Sequence, residues 1–205
     1  FTSPERAKEF LVDVPGYNAM IFRRTITDLK LQDGLIDVSH DWLDPHAHWD
    51  GNKHRWTFPS GATLQFGYMN RVNSHYRYKS SQVQFIGFDE TTEFPWEEQY
   101  LYMFSRLRRG VKDPVEAERL YGAAPDGLTL ADVPLRVRGA SNPGGSGNSW
   151  VFDRFISKDN PDRRPFLQSM LTDNPGIDAD EYRKALAELP EVERLRLEEG
   201  SWDAL

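Results

Sequence analysis

Apolar residues along this chain recur with two periods, and the points where one period gives way to the other outline an α/β protein. Residues 17–22 (YNAMIF) form a largely apolar run that predicts a strand. Ile26, Leu29, Leu35 and Ile36 then fall at helical spacing, so Arg23-Arg24-Thr25 leads from strand into helix. Upstream, Pro4 with Ala7, Phe10 and Leu11 predicts the remnant of a helix that stops at Pro15-Gly16. Residues 40–52, rich in Trp, Pro, Asp and His, read as loop. Residues 55–58 and 62–66 flank Pro59-Ser60-Gly61 and predict a β-hairpin.

After a polar segment, 70–82, comes the run Val83-Gln84-Phe85-Ile86-Gly87-Phe88, a predicted buried strand that ends in two adjacent carboxylates, Asp89 and Glu90. Pro95 fits a helix start, with Trp96, Tyr100, Met103, Phe104 and Leu107 at helical spacing behind it. The pattern is lost from 110 to 132, which reads as a surface excursion. Residues 134–140 predict a strand, Ser141-Asn142-Pro143-Gly144-Gly145 a turn, and Trp150, Val151, Phe152 and Phe155 a helix. Residues 166–171 predict a last strand. Asp178-Ala179-Asp180-Glu181 resembles a capping box for a helix burying Tyr182, Ala185, Leu186 and Leu189, and Pro190 opens a final helix ending at Gly200. Strands alternating with helices imply a mostly parallel sheet flanked by helices on both faces, with one antiparallel hairpin inserted.

Composition narrows the class of partner. The 205 residues suit one domain with a sizeable core. A formal charge of −7 sets the chain apart from uniformly basic proteins that coat nucleic acid, so any such contact must be local. The absence of cysteine excludes disulfides and thiolate metal sites. The amino terminus lacks the pattern of a signal peptide and no apolar run reaches membrane-spanning length, so the chain reads as soluble, intracellular and without a membrane partner.

The acid pair carries the chemistry. Ligands of open α/β sheets bind beyond the carboxyl ends of the strands, where Asp89 and Glu90 would sit. One carboxylate can hold Mg²⁺ and the second can orient and deprotonate water for in-line phosphoryl transfer. A solvated strand end with no chemical role is the plainer alternative. On the following strand end, Ser141 and Asn142 could hydrogen-bond a terminal phosphate or the attacking water. Turn chemistry alone also accounts for Ser-Asn-Pro-Gly-Gly.

Taken in order, YNAMIFRRT, IGFDETTEF, MFSRLRRG, RGASNPGG and the tail TDNPGID…EYRKALAELP…RLRLEEGSW resemble the ATPase domain of the large terminase subunit, the DNA-packaging motor of tailed bacteriophages. The resemblance covers nearly the whole chain. It implies a P-loop NTPase-type (ASCE) sheet, with Asp89 as the Walker B aspartate associated with Mg²⁺, Glu90 as catalytic glutamate and Ser141-Asn142-Pro143 as the coupling motif. It further implies ATP and Mg²⁺ as cofactors. The implied partners are double-stranded DNA, a portal protein, a small terminase subunit and further copies in a ring, all in the host bacterial cytoplasm.

One departure stands out. A motor of this kind needs GxxxxGK[ST] on the strand before its first helix, and this chain has none; Lys79-Ser80 follows Tyr78 rather than glycine. The expectation is a single partial ATPase domain over 1–205, lacking the first strand, the Walker A motif and the carboxylate-based nuclease domain, and inactive towards ATP alone. A protein that lost the motif and kept the fold as a silent assembly module is the alternative. Another P-loop motor such as a helicase would show further ordered motifs, which are absent.

Arg77, Lys79, Arg106 and Arg108, with Arg71 and Arg109 beside them, are candidates for an arginine finger reaching a neighbour's nucleotide or for DNA-phosphate contacts. Each could equally be a solvated charge. In the family, Arg23 and Arg24 lie near the nucleotide, though helix entry explains them as well. His40, His46, His48 and His54, with Asp44 and Asp50, match no zinc spacing and read as surface loop. Trp96, Tyr100, Phe104, Trp150 and Phe152 read as core rather than a base-stacking platform.

Overall fold

The computed structural model describes residues 12–109, 114–124, 127–162 and 164–203. The chain divides into two compact units, one of residues up to Asp89 together with Glu98–Gly139, the other of Glu90–Glu97 and Ala140–Leu205. The predicted helix at residues 4–11 lies outside the described residues.

The first unit is built on a mixed, mostly parallel sheet flanked by helices. In chain order its strands are β1 (Asn18–Arg23), β2 (His48–Asp50), β3 (Arg55–Thr57), β4 (Thr63–Tyr68), β5 (Phe85–Asp89) and β6 (Arg136–Ala140), arranged β2-β3-β4-β1-β5-β6. The two apolar runs lie at the centre. β1 pairs in parallel with both β4 and β5, and the first four residues of β5 are buried, as a strand covered on both faces requires. Gln84, the polar residue within the second run, is 1% exposed because its side chain is satisfied at both ends: it accepts from Asn18 N at 2.8 Å and donates to the Arg108 carbonyl at 2.8 Å. The predicted hairpin is β3–β4, in register from Thr57↔Thr63 to Arg55↔Gln65, closed by Phe58 N donating to Ala62 O and by Gly61 at φ 73°. Trp56, Phe58 and Phe66 from this hairpin pack with Tyr17, Leu29, Ile36 and Phe85 into the core.

Several elements depart from the expectation. The helix expected from Ile26 to Ile36 is two helices, α1 (Ile26–Leu29) and α2 (Leu35–Leu43). Thr25 and Asp28 form a capping box on α1, and the chain then turns through Asp33 at φ 58° to Gly34, where a Cβ would sit 2.7 Å from the Leu31 carbonyl oxygen. Residues 40–52 are not all loop: α2 runs to Leu43, and β2 adds an antiparallel strand to β3. α3 (Glu97–Phe104) begins two residues after Pro95 and stops short of Leu107, which instead forms an isolated parallel bridge with Val83. The 110–132 excursion contains α4 (Pro114–Tyr121), on which Val115 and Leu120 are exposed.

In the second unit, α5 (Asn148–Val151) runs into a π-helical turn, Phe152–Ile156. The strand expected at 166–171 does not form; Leu167 is 91% exposed, and a 3-10 turn, Leu171–Asp173, closes the segment. α6 (Ala179–Leu186) starts where expected, with the Asp178 carboxylate accepting from the N–H groups of Asp180 and Glu181. It buries Leu186 alone, Ala185 being exposed. Arg183 ties α6 to α7 (Glu191–Glu198) by a 2.5 Å contact with Glu198.

Candidate functional site

The parallel register fixes what stands at the carboxyl edge of the sheet. Phe22 pairs with Phe88, so the next residues, Arg23 and Asp89, emerge as neighbours. Arg23 Nε lies 2.6 Å from Asp89 Oδ2, with both side chains about a quarter exposed. The contact is an ion pair without hydrogen-bond alignment, because the buried Nε has no acceptor in line with its N–H among the described residues. On the other side of β1, Arg23 registers with Tyr68, the last residue of β4. Tyr68 N donates to Tyr78 Oη at 2.9 Å and Tyr78 Oη donates to Tyr68 O at 3.0 Å; burial raises the pKa of the Tyr78 phenol above its ordinary value. The Arg77 guanidinium lies 4.8 Å over the Tyr68 ring and reaches Asn70 Oδ1 at 3.4 Å. Arg24, half-buried, leads into the Thr25 cap.

Glu90 opens the second unit in the left-handed region, at φ 48° and ψ 60°, and its carbonyl starts a 3-10 turn over Thr91–Glu93. A non-glycine residue held there is unusual and must be fixed by its surroundings. The fixing comes from the segment that begins at Ala140. Ser141 Oγ donates to Glu90 Oε2 at 3.4 Å and accepts from Thr92 N at 3.0 Å. Thr92 Oγ1 lies 2.6 Å from Ser141 Oγ and 2.8 Å from the Asn142 carbonyl oxygen, and Thr91 Oγ1 donates to the Ala140 carbonyl. Next along the strip, the carbonyls of Thr92, Glu93 and Phe94 accept from Gly147 N, Ser146 Oγ and Trp150 Nε1. Arg154 closes the row on Glu97 at 2.6 Å. Asn142 takes part through its backbone; its side chain is exposed.

This fit explains two glycines, Gly145, which read only as turn chemistry, and Gly147, which carried no reading. A Cβ on Gly145 would lie 2.5 Å from the Thr92 carbonyl carbon, and one on Gly147 would lie 2.5 Å from Trp150 Nε1 and 2.9 Å from the Phe94 carbonyl carbon. Both glycines permit close backbone approach. Thr92, Gly145 and Gly147 are the residues sequence reasoning missed. A hint was present in the spacing of IGFDETTEF and SNPGGSG, but hydroxyls and glycines have too many other uses for it to be decisive.

The remaining cations are anchored in the first unit. Arg106 donates to the Lys79 carbonyl and to Ser105 Oγ, and its guanidinium lies 5.3 Å over the Tyr102 ring. Arg108 bonds through its backbone to Val83 and Gln84, leaving the side chain exposed, as Lys79 is. Arg109 Nε donates to the Val133 carbonyl. The histidine-rich region packs as an aromatic cluster, with His40 at 5.1 Å from Trp49 and 4.8 Å from Trp56. Among the described residues no group of three or more His, Asp or Glu gathers to hold a metal. Trp96, Trp150 and Phe152 are half-buried, Tyr100 is buried and Phe104 is exposed at the end of α3. No described helix is long and apolar enough to cross a membrane.

No protein family matches the sequence, and no curated protein does. Among solved structures, the large terminase from a thermophilic bacteriophage matches with a TM-score of 0.64 at 14% sequence identity. The match covers 91% of this chain and 41% of that one, so the chain spans less than half the length of the protein it matches. At this identity the likeness is one of fold, and it identifies the sheet as terminase-like.

Proposed function

We propose that this chain supplies the hydrolytic part of a DNA-packaging ATPase of the large terminase type. The observation that carries the reading is Glu90: a carboxylate at the end of a buried strand, held in a left-handed conformation and hydrogen-bonded to Ser141. Strain of that kind at a strand end is characteristic of residues placed for chemistry.

In this reading Asp89 is the group that would hold Mg²⁺. One carboxylate suffices, since Mg²⁺ usually completes its shell with water and phosphate oxygens. The donor set fits: Arg23 occupies Oδ2, and the side chain is 26% exposed, leaving a carboxylate oxygen to offer. Bound there, the ion would neutralise charge developing on the phosphates. Glu90 orients a water and takes its proton, while Ser141, donating to Glu90, keeps that carboxylate aimed. Arg23, at the carboxyl end of β1, supplies positive charge beside Asp89. The 205 residues carry no GxxxxGK[ST], so none of their loops is assigned the phosphate cradle in this reading. The proposed partners are double-stranded DNA, a portal, a small terminase subunit and further copies of the motor.

The test is ATP turnover in a protein carrying this chain together with a phosphate-binding loop. Glu90→Gln should lower kcat by about 10²–10⁴-fold, the range for losing a general base. Near-normal turnover in that variant would remove Glu90 from the role, whereas no turnover in the unsubstituted protein would favour a silent assembly module.

A further inference from the structure

We infer that a face of the sheet-bearing unit, formed by residues 70–79 and 102–109, binds an unpaired nucleic-acid strand, with Tyr76 as the ring on which a base stacks. Tyr76 is 54% exposed, yet its neighbours brace it. The ring of buried His75 lies 4.2 Å from it, the Tyr102 ring stands edge-on at 5.3 Å, and His75 meets Tyr102 at 4.7 Å. Arg106 in turn lies 5.3 Å over the Tyr102 ring and donates to the Lys79 carbonyl. The backbone is held as well: fully buried Gln99 donates to the Arg71 carbonyl at 2.7 Å, and Ser74 Oγ accepts from Arg71 N at 3.0 Å. An exposed ring usually exchanges rotamers freely, whereas one braced in this way meets a partner with little further loss of freedom.

The charges around this ring specify the chemistry of the partner. The chain carries −7 overall, yet residues 70–82 contain Arg71, Arg77 and Lys79 with no Asp or Glu, and residues 105–109 contain Arg106, Arg108 and Arg109, again without an acid. The two stretches meet where Arg106 reaches the Lys79 carbonyl and where Val83 N donates to the Arg106 carbonyl. On α3 the acid one turn before Tyr102 is Glu98. The side chains of Arg71, Arg77, Lys79 and Arg108 are exposed, so cations flank Tyr76 on both sides along the chain. A polyanion that carries flat apolar rings answers both features: its phosphates meet the cations and one of its bases meets the ring. A duplex answers only the first, because its bases are stacked on one another and offer no free face along its length. Tyr76 therefore favours an unpaired strand over a duplex, and neither Glu90 nor a nucleotide takes part.

The test is fluorescence anisotropy with the 205-residue chain and labelled probes of about 12 nucleotides or base pairs: oligothymidylate, the same strand made abasic, and a duplex. The unsubstituted chain should bind oligothymidylate about 5–100-fold tighter than the abasic strand, the range for stacking one base. Tyr76→Ala should bring that ratio below about twofold and leave affinity for the abasic strand and the duplex unchanged, while Tyr76→Trp should keep the ratio. Arg71→Ala should weaken all the probes together and lower the magnitude of the salt slope on the single strands by about 0.7. A ratio near one in the unsubstituted chain, a ratio that survives Tyr76→Ala, or no binding to any probe would each overturn the inference. A strand carrying iodouridine reads the contact without substitution. A photocross-link mapped to Tyr76 supports the inference, and cross-links confined to other residues overturn it.

Discussion

Glu90 carries a conformational cost that its surroundings must offset. Left-handed backbone costs an ordinary residue roughly 1–2 kcal/mol, and glycine nothing comparable. Replacing Glu90 by glycine should therefore hold or raise the melting temperature, even after loss of the Ser141 hydrogen bond and the added freedom of the unfolded chain. A clear fall in melting temperature would show that the side chain itself stabilises the fold. At this scale the place of Asp89 and Glu90 at the end of a buried strand was legible, because the apolar run stops at the two acids. The backbone angle of Glu90 and the hydrogen bonds of Thr92 were not. Both arise from carbonyls and hydroxyls some 49 residues further on, and Thr-Thr-Glu has no spacing that announces them.

At the scale of elements, the central strands and the hairpin were legible because β1 and β5 are apolar along most of their length and Pro-Ser-Gly admits a tight turn. The segment 166–171 has the composition of a strand but finds no partner, and sheet propensity without pairing gives exposed apolar side chains instead. The broken helix after β1 reflects a local rule overriding periodicity: Ile26 and Ile36 keep the spacing while Asp33 and Gly34 turn the chain between them. A related constraint operates in β4. A Cβ on Gly67 would lie 2.6 Å from a Phe22 ring carbon and 2.8 Å from Tyr78 Oη. Gly67→Ala should cost about 1–3 kcal/mol, the usual range for overpacking, read as a lower denaturation midpoint with unchanged slope. An unchanged midpoint would mean that the Phe22 ring can retreat.

For the whole molecule, a net charge of −7 makes binding of the proposed DNA partner a local affair. Arg77, Lys79, Arg106 and Arg108 all belong to the sheet-bearing unit. Were each to meet one phosphate, the logarithm of affinity for double-stranded DNA should fall with the logarithm of salt at a slope of about −0.9 × 4, or roughly −3.6. Arg77→Ala should reduce the magnitude of that slope by about 0.9. Fluorescence anisotropy across a salt series reads both; salt-independent affinity would exclude phosphate contact by these residues. The sequence revealed these cations but not their anchoring. Arg106, fastened to the Lys79 carbonyl and stacked on Tyr102, is the least free to reach away from the surface.

The second unit is assembled from two stretches of chain, Glu90–Glu97 and Ala140–Leu205, and this sets an order of events during synthesis. Thr92 leaves the ribosome 49 residues ahead of Ser141, the group that holds it. At translation rates of about 5–20 residues per second, the acidic strip waits roughly 2–10 s for its complement. Throughout that delay Glu90 has no reason to adopt its left-handed backbone, so this residue would settle into it only after the 141–147 loop has been made.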